Sequence, residues 1–212
     1  MFDDSQGAAD KKQLIMRVAA HLFTQKGFDG VSVREIAEHA EVTKPAIYYY
    51  FENKNDLYQQ LLTEAFAHVA NLHEEIFQSD LDIRDKLREL INGHFRFCRE
   101  NPDVVKLLFD AMRERISDKT FNREEEQFPS GMRFRRISEF IAEGQSQGVF
   151  RSSIDPLKVG MMFIGTTNMF ILYQLHSSKD VISDRVAEEL VDIFLHGIEK
   201  SDNLESDQKE EA

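Results

Sequence analysis

The chain has 212 residues, with 26 Lys and Arg against 38 Asp and Glu for a formal net charge of −12, and 42 % of its residues are hydrophobic. That is one to two domains' worth of acidic polypeptide with enough apolar material to bury a core, which excludes a largely disordered protein. The single cysteine, Cys98, excludes an internal disulfide and any multi-thiolate metal or iron–sulfur site within one chain, and fits a reducing, cytoplasmic setting.

The start, Met1-Phe2-Asp3-Asp4, lacks the basic-then-apolar run of a signal peptide. Apolar residues then recur at spacings of three and four, which predicts an all-α fold. Leu14, Ile15, Val18, Ala19, Leu22 and Phe23 form the stripe of a first helix that runs into Gly27, a helix stop. Ser32 with Glu35 is a capping box, and Val33, Ile36, Ala37 and Ala40 give the apolar face of a short second helix. Thr43 caps a third, with Pro45 in its first turn and Ile47 and Phe51, four apart, facing inward. Two short helices about three residues apart predict a helix-turn-helix over 32–51. Asn53 or Asn55 caps a long fourth helix whose stripe runs from Leu57 to Phe77. Further helices are expected near 82–100, 103–116, 130–147, 156–177 and 184–200, with breaks at Pro102, Pro129 and Pro156. Residues 117–129 read as a loop or frayed helix start, and the acidic tail 201–212 as disordered.

A net charge of −12 runs against binding a polyanion, yet its distribution does not. Residues 11–56 hold seven Lys and Arg and six Asp and Glu, a balance of +1, so the remainder carries −13. Such a chain repels DNA everywhere except at one tip, which favours a single docking orientation. An ordinary solvated acidic surface accounts for the charge equally well.

In a helix-turn-helix the second helix enters the major groove N-terminus first. Here that stretch is Thr43-Lys44-Pro45-Ala46-Ile47-Tyr48-Tyr49-Tyr50-Phe51. With Ile47 and Phe51 inward, Lys44, Pro45, Ala46, Tyr48, Tyr49 and Tyr50 are left for the outer face and its flanks. Three adjacent tyrosines in a short helix cannot all be buried, and a phenol donates to a phosphate oxygen while its ring packs on sugar or a thymine methyl. Packing of Tyr48 or Tyr50 against the neighbouring helices is the alternative. Lys54, at the start of the fourth helix, is placed to meet a phosphate together with the free amides there. Ser32 and Thr43 can share their hydroxyls between cap and phosphate, and Arg34 is either a backbone or minor-groove contact or a solvated arginine.

The order Leu22-Phe23, Gly27-Phe28, Val33, Ile36-Ala37, Ala40, Val42-Thr43, Ile47-Tyr48, Tyr50-Phe51, Lys54 and Leu57 resembles the TetR family of bacterial transcriptional regulators. The resemblance implies a DNA-binding domain over 9–69 and a divergent helical domain over 70–200 that binds a small effector and dimerises through its last two helices. By position it makes Lys44, Pro45, Ala46 and Tyr49 base or phosphate readers, and Thr43, Tyr48, Tyr50 and Lys54 backbone anchors. Glu41 departs from the family pattern, which commonly has glycine in that turn. A positive φ there costs a side chain about 1 kcal/mol.

The stretch Val159 to Tyr173 is uncharged but shorter than the roughly 20 residues that span a bilayer, and it contains Thr166, Thr167 and Asn168, so no membrane partner is expected. The helix around it is apolar almost all round and needs cover on both sides. Pairing of the last two helices with those of a second copy, through Met161, Asn168, Phe170, Tyr173, Leu190, Phe194 and Ile198, supplies that cover and makes the protein a homodimer on a palindromic operator. Candidates for an effector cavity between helices four to eight are Phe66, Val69, His73, Phe95, Cys98, Leu108, Met112, Phe134, Ile137, Phe140, Met162, Thr166 and Met169, any of which can equally be core. Their character suits an apolar or amphipathic effector. Gly160 and Gly165 allow close helix approach, and Arg133, Arg135 and Arg136 either meet an anionic head group or form a solvated face.

Enzymatic motifs are missing: there is no glycine-rich phosphate loop, no nucleophile elbow and no paired metal-binding histidines at helical spacing. No catalytic role, cofactor or metal is expected. Cys98, between Arg96 and Arg99, is either a reactive sensor or a buried thiol. The expected function is that of a ligand-relieved repressor. A helical ligand-binding protein with a vestigial helix-turn-helix, or a transcriptional activator, is the alternative.

Overall fold

The computed structural model describes the backbone of residues 4–117 and 129–198, and the side chains of residues 10–113 and 135–197. Among the described residues there are nine helices and no strand: α1 Asp4–Lys26, α2 Val33–His39, α3 Lys44–Tyr50, α4 Lys54–Gln78, α5 Ile83–Glu100, α6 Pro102–Ser117, α7 Pro129–Ser146, α8 Pro156–His176 and α9 Asp184–Ile198. All four prolines open a helix, with Pro45 in the first turn of α3 and the other three leading α6, α7 and α8, where a missing N–H leaves no intrahelical bond unmade. Among the described residues no helix is long and apolar enough to cross a membrane. The tail 201–212, the segment 118–128 and the side chains of Phe134, Arg133 and Ile198 lie outside the described residues.

The chain forms two compact units. One comprises α1–α3, α4 as far as Asn71, and the chain from Phe97 through α6. Its core joins Ile15, Ala19, Leu22 and Phe23 of α1 to Ile36 of α2, Ile47 and Phe51 of α3, Leu57 and Leu61 of α4, and Leu107 and Ala111 of α6. Each fully buried Leu, Ile or Phe contributes about 1.5–3 kcal/mol. The sequence reading closed the first domain at residue 69, whereas α6 packs here along α1. Asp103 fixes that pairing by accepting from Thr24 Oγ1 at 2.9 Å and lying 2.9 Å from His21 Nδ1.

The other unit comprises Leu72–Arg96, the chain from α7 onward, and so the ends of α4 and most of α5 with α7, α8 and α9. Its core holds Leu87, Leu90, Ile91, Phe95, Ile137, Ile141, Phe163, Ile171, Ala187 and Val191. A Cβ on Gly160 would come within 2.8 Å of Ile137, so its lack of a side chain lets α8 approach α7; Gly165 has nothing within 4 Å. Arg84 and Arg88 of α5 tie to α9, through Asp192 and through Glu188 at 3.2 Å.

Candidate functional site

The helix-turn-helix is built from its caps inward. Ser32 Oγ accepts from the Glu35 amide at 3.2 Å to start α2, and Thr43 Oγ1 accepts from the Ala46 amide at 3.3 Å to start α3. Between them α2 ends in a Schellman turn: the Val42 amide donates to Ala37 O at 3.0 Å and the Glu41 amide to Glu38 O at 3.4 Å. Glu41 occupies the left-handed position of that turn, with φ 52°. Ile47 and Phe51 are buried, which aims the opposite face of α3 outward.

That face carries Thr43, Lys44, Pro45, Tyr48 and Tyr49, all exposed, with Ala46 half-buried beside them. Tyr49 is 79 % exposed and Tyr48 52 %, so neither ring is part of the core. Tyr50 differs: it is half-buried, packs on the core, and meets Tyr49 edge-on at 4.9 Å. The helix contains one cation and no carboxylate.

Two of the basic candidates have partners within the protein. Lys54 Nζ donates to Phe28 O at 2.7 Å and Val31 O at 2.9 Å and stands 4.3 Å over the Phe28 ring, so it fastens the α1–α2 connection to α4. The sequence reading placed this ammonium on a phosphate; two of its three N–H groups point inward. Asn53, not Asn55, caps α4, accepting from the Asp56 amide at 3.0 Å. Arg34 pairs with Glu38 at 2.7 Å, and this partner raises its pKa. Lys26 binds the Glu35 carboxylate and holds it below its ordinary range.

The candidate effector residues divide by unit. In the first, Val69, Cys98 and Leu108 are buried, and Phe66 and Met112 half-buried. Burial pushes the Cys98 thiol up to about 11, outweighing Arg99, so the reactive-sensor reading of this cysteine has no support in its surroundings. In the second unit Phe95 is core, and Phe140 lines a cleft of about 720 Å³ with Phe77, Leu81 and Arg136. Arg136 is taken by Glu74 at 2.7 Å and Glu139 at 3.2 Å, and Arg135 lies 3.7 Å from Glu139.

Met162 and Thr166 line an apolar cavity of about 350 Å³ with Ile91, Val159, Phe163, Leu190, Ile193 and Phe194. His73 and Ile137 line a smaller one of about 10 Å³ with His94, Thr167 and Asn168. Sequence reasoning passed over His94, Phe163 and Thr167. It singled out Thr166, which is exposed, whereas its neighbour Thr167 is buried and donates to Phe163 O at 3.0 Å. Met169 is 63 % exposed and borders neither cavity. Of the expected dimer-face residues, Met161 and Tyr173 are exposed and Phe170, Leu190 and Phe194 half-buried. Asn168 lines the inner cavity instead. Among the described residues no three His, Cys, Asp or Glu are grouped to hold a metal.

A helix-turn-helix that presents the first turn of its second helix, basic and free of carboxylates, defines a DNA-binding regulator. Residues 15–61 match the family model described as bacterial regulatory proteins, tetR family, and residues 84–189 match the tetracyclin repressor-like C-terminal domain. The chain belongs to the TetR family of bacterial transcriptional regulators. It is 24 % identical over 202 residues to the HTH-type transcriptional repressor KstR2 of Rhodococcus jostii RHA1, covering 95 % of this chain and 97 % of that one. It is 26 % identical over 202 residues to the uncharacterized HTH-type transcriptional regulator YdgC of Bacillus subtilis 168, covering 92 % and 95 %. The solved structure of the ketosteroid transcriptional regulator KstR2 of Mycobacterium tuberculosis shares the fold, with a TM-score of 0.70 at 20 % identity over 90 % of this chain and 95 % of that chain.

Proposed function

We propose that this regulator is a cytoplasmic, homodimeric repressor that leaves its operator when a small apolar or amphipathic molecule binds the second unit. The observation that carries the reading is the outward face of α3. Lys44, Pro45, Ala46 and Tyr49 read bases or phosphates there, while Thr43, Tyr48, Tyr50, Ser32 and Arg34 hold the backbone. Lys54 sets the α1–α2 connection and keeps one N–H for a phosphate. The surface of α8 supports dimerisation: Met161 and Tyr173, both large and apolar, are more than half exposed. The effector class rests on the two cavities beside α8. Among the described residues neither is lined by an Asp, Glu, Lys or Arg side chain.

Two copies place two recognition helices on successive major grooves, about one helical turn apart, and read a near-palindrome. An effector releases the operator by favouring a spacing or tilt of those helices that no longer fits, and it acts only through its differential affinity for the two states. Relatives named as repressors support repression over activation.

Fluorescence anisotropy with promoter-proximal DNA, at two salt concentrations and against a scrambled duplex, tests the reading. Saturable, salt-sensitive binding about a thousandfold tighter than to the scrambled control is expected. Binding no tighter than to scrambled DNA, followed by a genome-wide selection that also enriches no site, would refute it.

A further inference from the structure

The centre of the outward face of α3 is apolar. Ile47 is buried, and at about 3.6 residues per turn Pro45 and Tyr49, two residues to either side of it, are each turned about 200° away. Both are exposed, and the methyl of half-buried Ala46 lies beside them. Lys44 and Tyr48 lie nearer the direction of Ile47 and so form a flank, exposed like the centre.

The charge of the helix-turn-helix lies off that centre. Lys26 is held by Glu35, Arg34 by Glu38, and Lys54 by the carbonyls of Phe28 and Val31. Among the described residues Lys44 has no such partner, which leaves its ammonium for the phosphate strand that borders a helix in the major groove. The sequence of α3 contains no carboxylate and no carboxamide. It therefore lacks the groups that pair with adenine N6 and N7 or accept from cytosine N4. The Tyr49 hydroxyl both donates and accepts, so by itself it selects no base. What the centre offers is carbon: a pyrrolidine ring, a methyl and the edge of a phenol. Facing it in the major groove there is one apolar group, the C5-methyl of thymine.

We infer that the operator is read chiefly through thymine methyls, which pack on Pro45, Ala46 and Tyr49, while Lys44 and Tyr48 hold phosphates. This rests on the reading of α3 as the DNA face and deepens it by naming the bases. Pro45 and Tyr49 are about 6 Å apart along α3, against about 3.4 Å per base step, so the two rings meet methyls of different base pairs. Burial of one methyl changes affinity about fourfold.

Selection of a random duplex library on the full-length protein supplies the probe. The enriched duplex is then remade with deoxyuridine at one thymine at a time, which deletes the methyl and keeps the pairing. Fluorescence anisotropy is expected to find about two thymines in each half-site whose methyl changes affinity about fourfold. At those positions a 5-methylcytosine·guanine pair, which restores the methyl on a different hydrogen-bonding pattern, is expected to bind about fourfold tighter than cytosine·guanine. Tyr49→Ala and Pro45→Ala are each expected to reduce one of the methyl effects to about twofold or less and to spare the other. The wild-type scan needs no variant to fold. Methyls that all change affinity by less than about twofold, methylation of cytosine without effect, or methyl effects unchanged in both variants would each overturn the inference. The selection separates it from the reading beneath it. An enriched site whose methyls are silent would refute methyl readout and leave a sequence-specific regulator standing, whereas enrichment of no site would overturn both.

Discussion

The turn inside the helix-turn-helix puts a glutamate where the backbone wants glycine. At φ 52° the Cβ of Glu41 crowds the adjacent backbone, which costs about 1–2 kcal/mol in the left-handed region. Glu41→Gly removes that cost but frees the unfolded chain, which returns about 0.5–1 kcal/mol. The net is a stabilisation of about 0.5–1 kcal/mol, localised in the turn. Native-state hydrogen exchange reads it directly, because the Val42 and Glu41 amides make the two bonds that close the Schellman turn. Their exchange is expected to slow roughly two- to fivefold. Glu41→Gln is the control, since it keeps the strained backbone and removes only the charge. Both variants should bind operator DNA tighter by about twofold at low salt, the size of a unit charge some 10 Å from a phosphate in water, and the gain should fade as salt shortens the Debye length. Equal protection of the turn amides in the glutamine and glycine variants would refute the backbone-strain account.

Lys44→Ala and Tyr49→Ala are each expected to weaken operator binding about tenfold or more with no change in melting temperature, because both side chains point into solvent; unchanged affinity in both would remove the assigned DNA face. Lys54→Met is expected to lower stability by about 1–3 kcal/mol in urea unfolding, since it strands the Phe28 and Val31 carbonyls, and a loss indistinguishable from zero would show that Lys54 is free to serve DNA alone. Cys98 is 1 % exposed with its thiol pushed up to about 11, so it stays protonated at neutral pH. Iodoacetamide is therefore expected to spare the native protein and label it promptly in urea, and prompt labelling of the native state would contradict the burial.

The helix-turn-helix was legible because its signals are local. A hydroxyl caps its own helix three residues on, Gly27 ends α1 at φ 74°, and Ile47 and Phe51 are inward by spacing alone. The helix boundaries near Pro102, Pro129 and Pro156 were legible for the same reason, though each proline starts a helix as much as it ends one. What the sequence concealed depends on partners far along the chain. Lys54 reads as a surface cation until the Phe28 and Val31 carbonyls, 26 and 23 residues earlier, are seen to hold it. His94 carries no signal of its own, because its meaning is a facing imidazole 21 residues away on α4. Thr166, Thr167 and Asn168 are adjacent in a helix that is apolar all round, so periodicity cannot say which faces inward; packing of α8 selects Thr167 and Asn168.

The same distinction separates the two halves of the proposed regulation. Recognition of DNA needs an exposed, preformed surface, and that surface can be specified by a dozen local choices. Response to an effector needs a buried site whose occupancy changes the preferred state of a distant surface, and thermodynamic linkage limits what any such site can do. A hundredfold loss of operator affinity on saturation requires about 2.7 kcal/mol of coupling, and the operator must then weaken effector binding by the same hundredfold. That reciprocity is measurable once a ligand is in hand, by titrating it into the free protein and into the protein–operator complex. A ligand that binds the free protein and the protein–operator complex equally tightly has no coupling to the operator and cannot release it, and occupancy of the cavities beside α8 would then have no part in release.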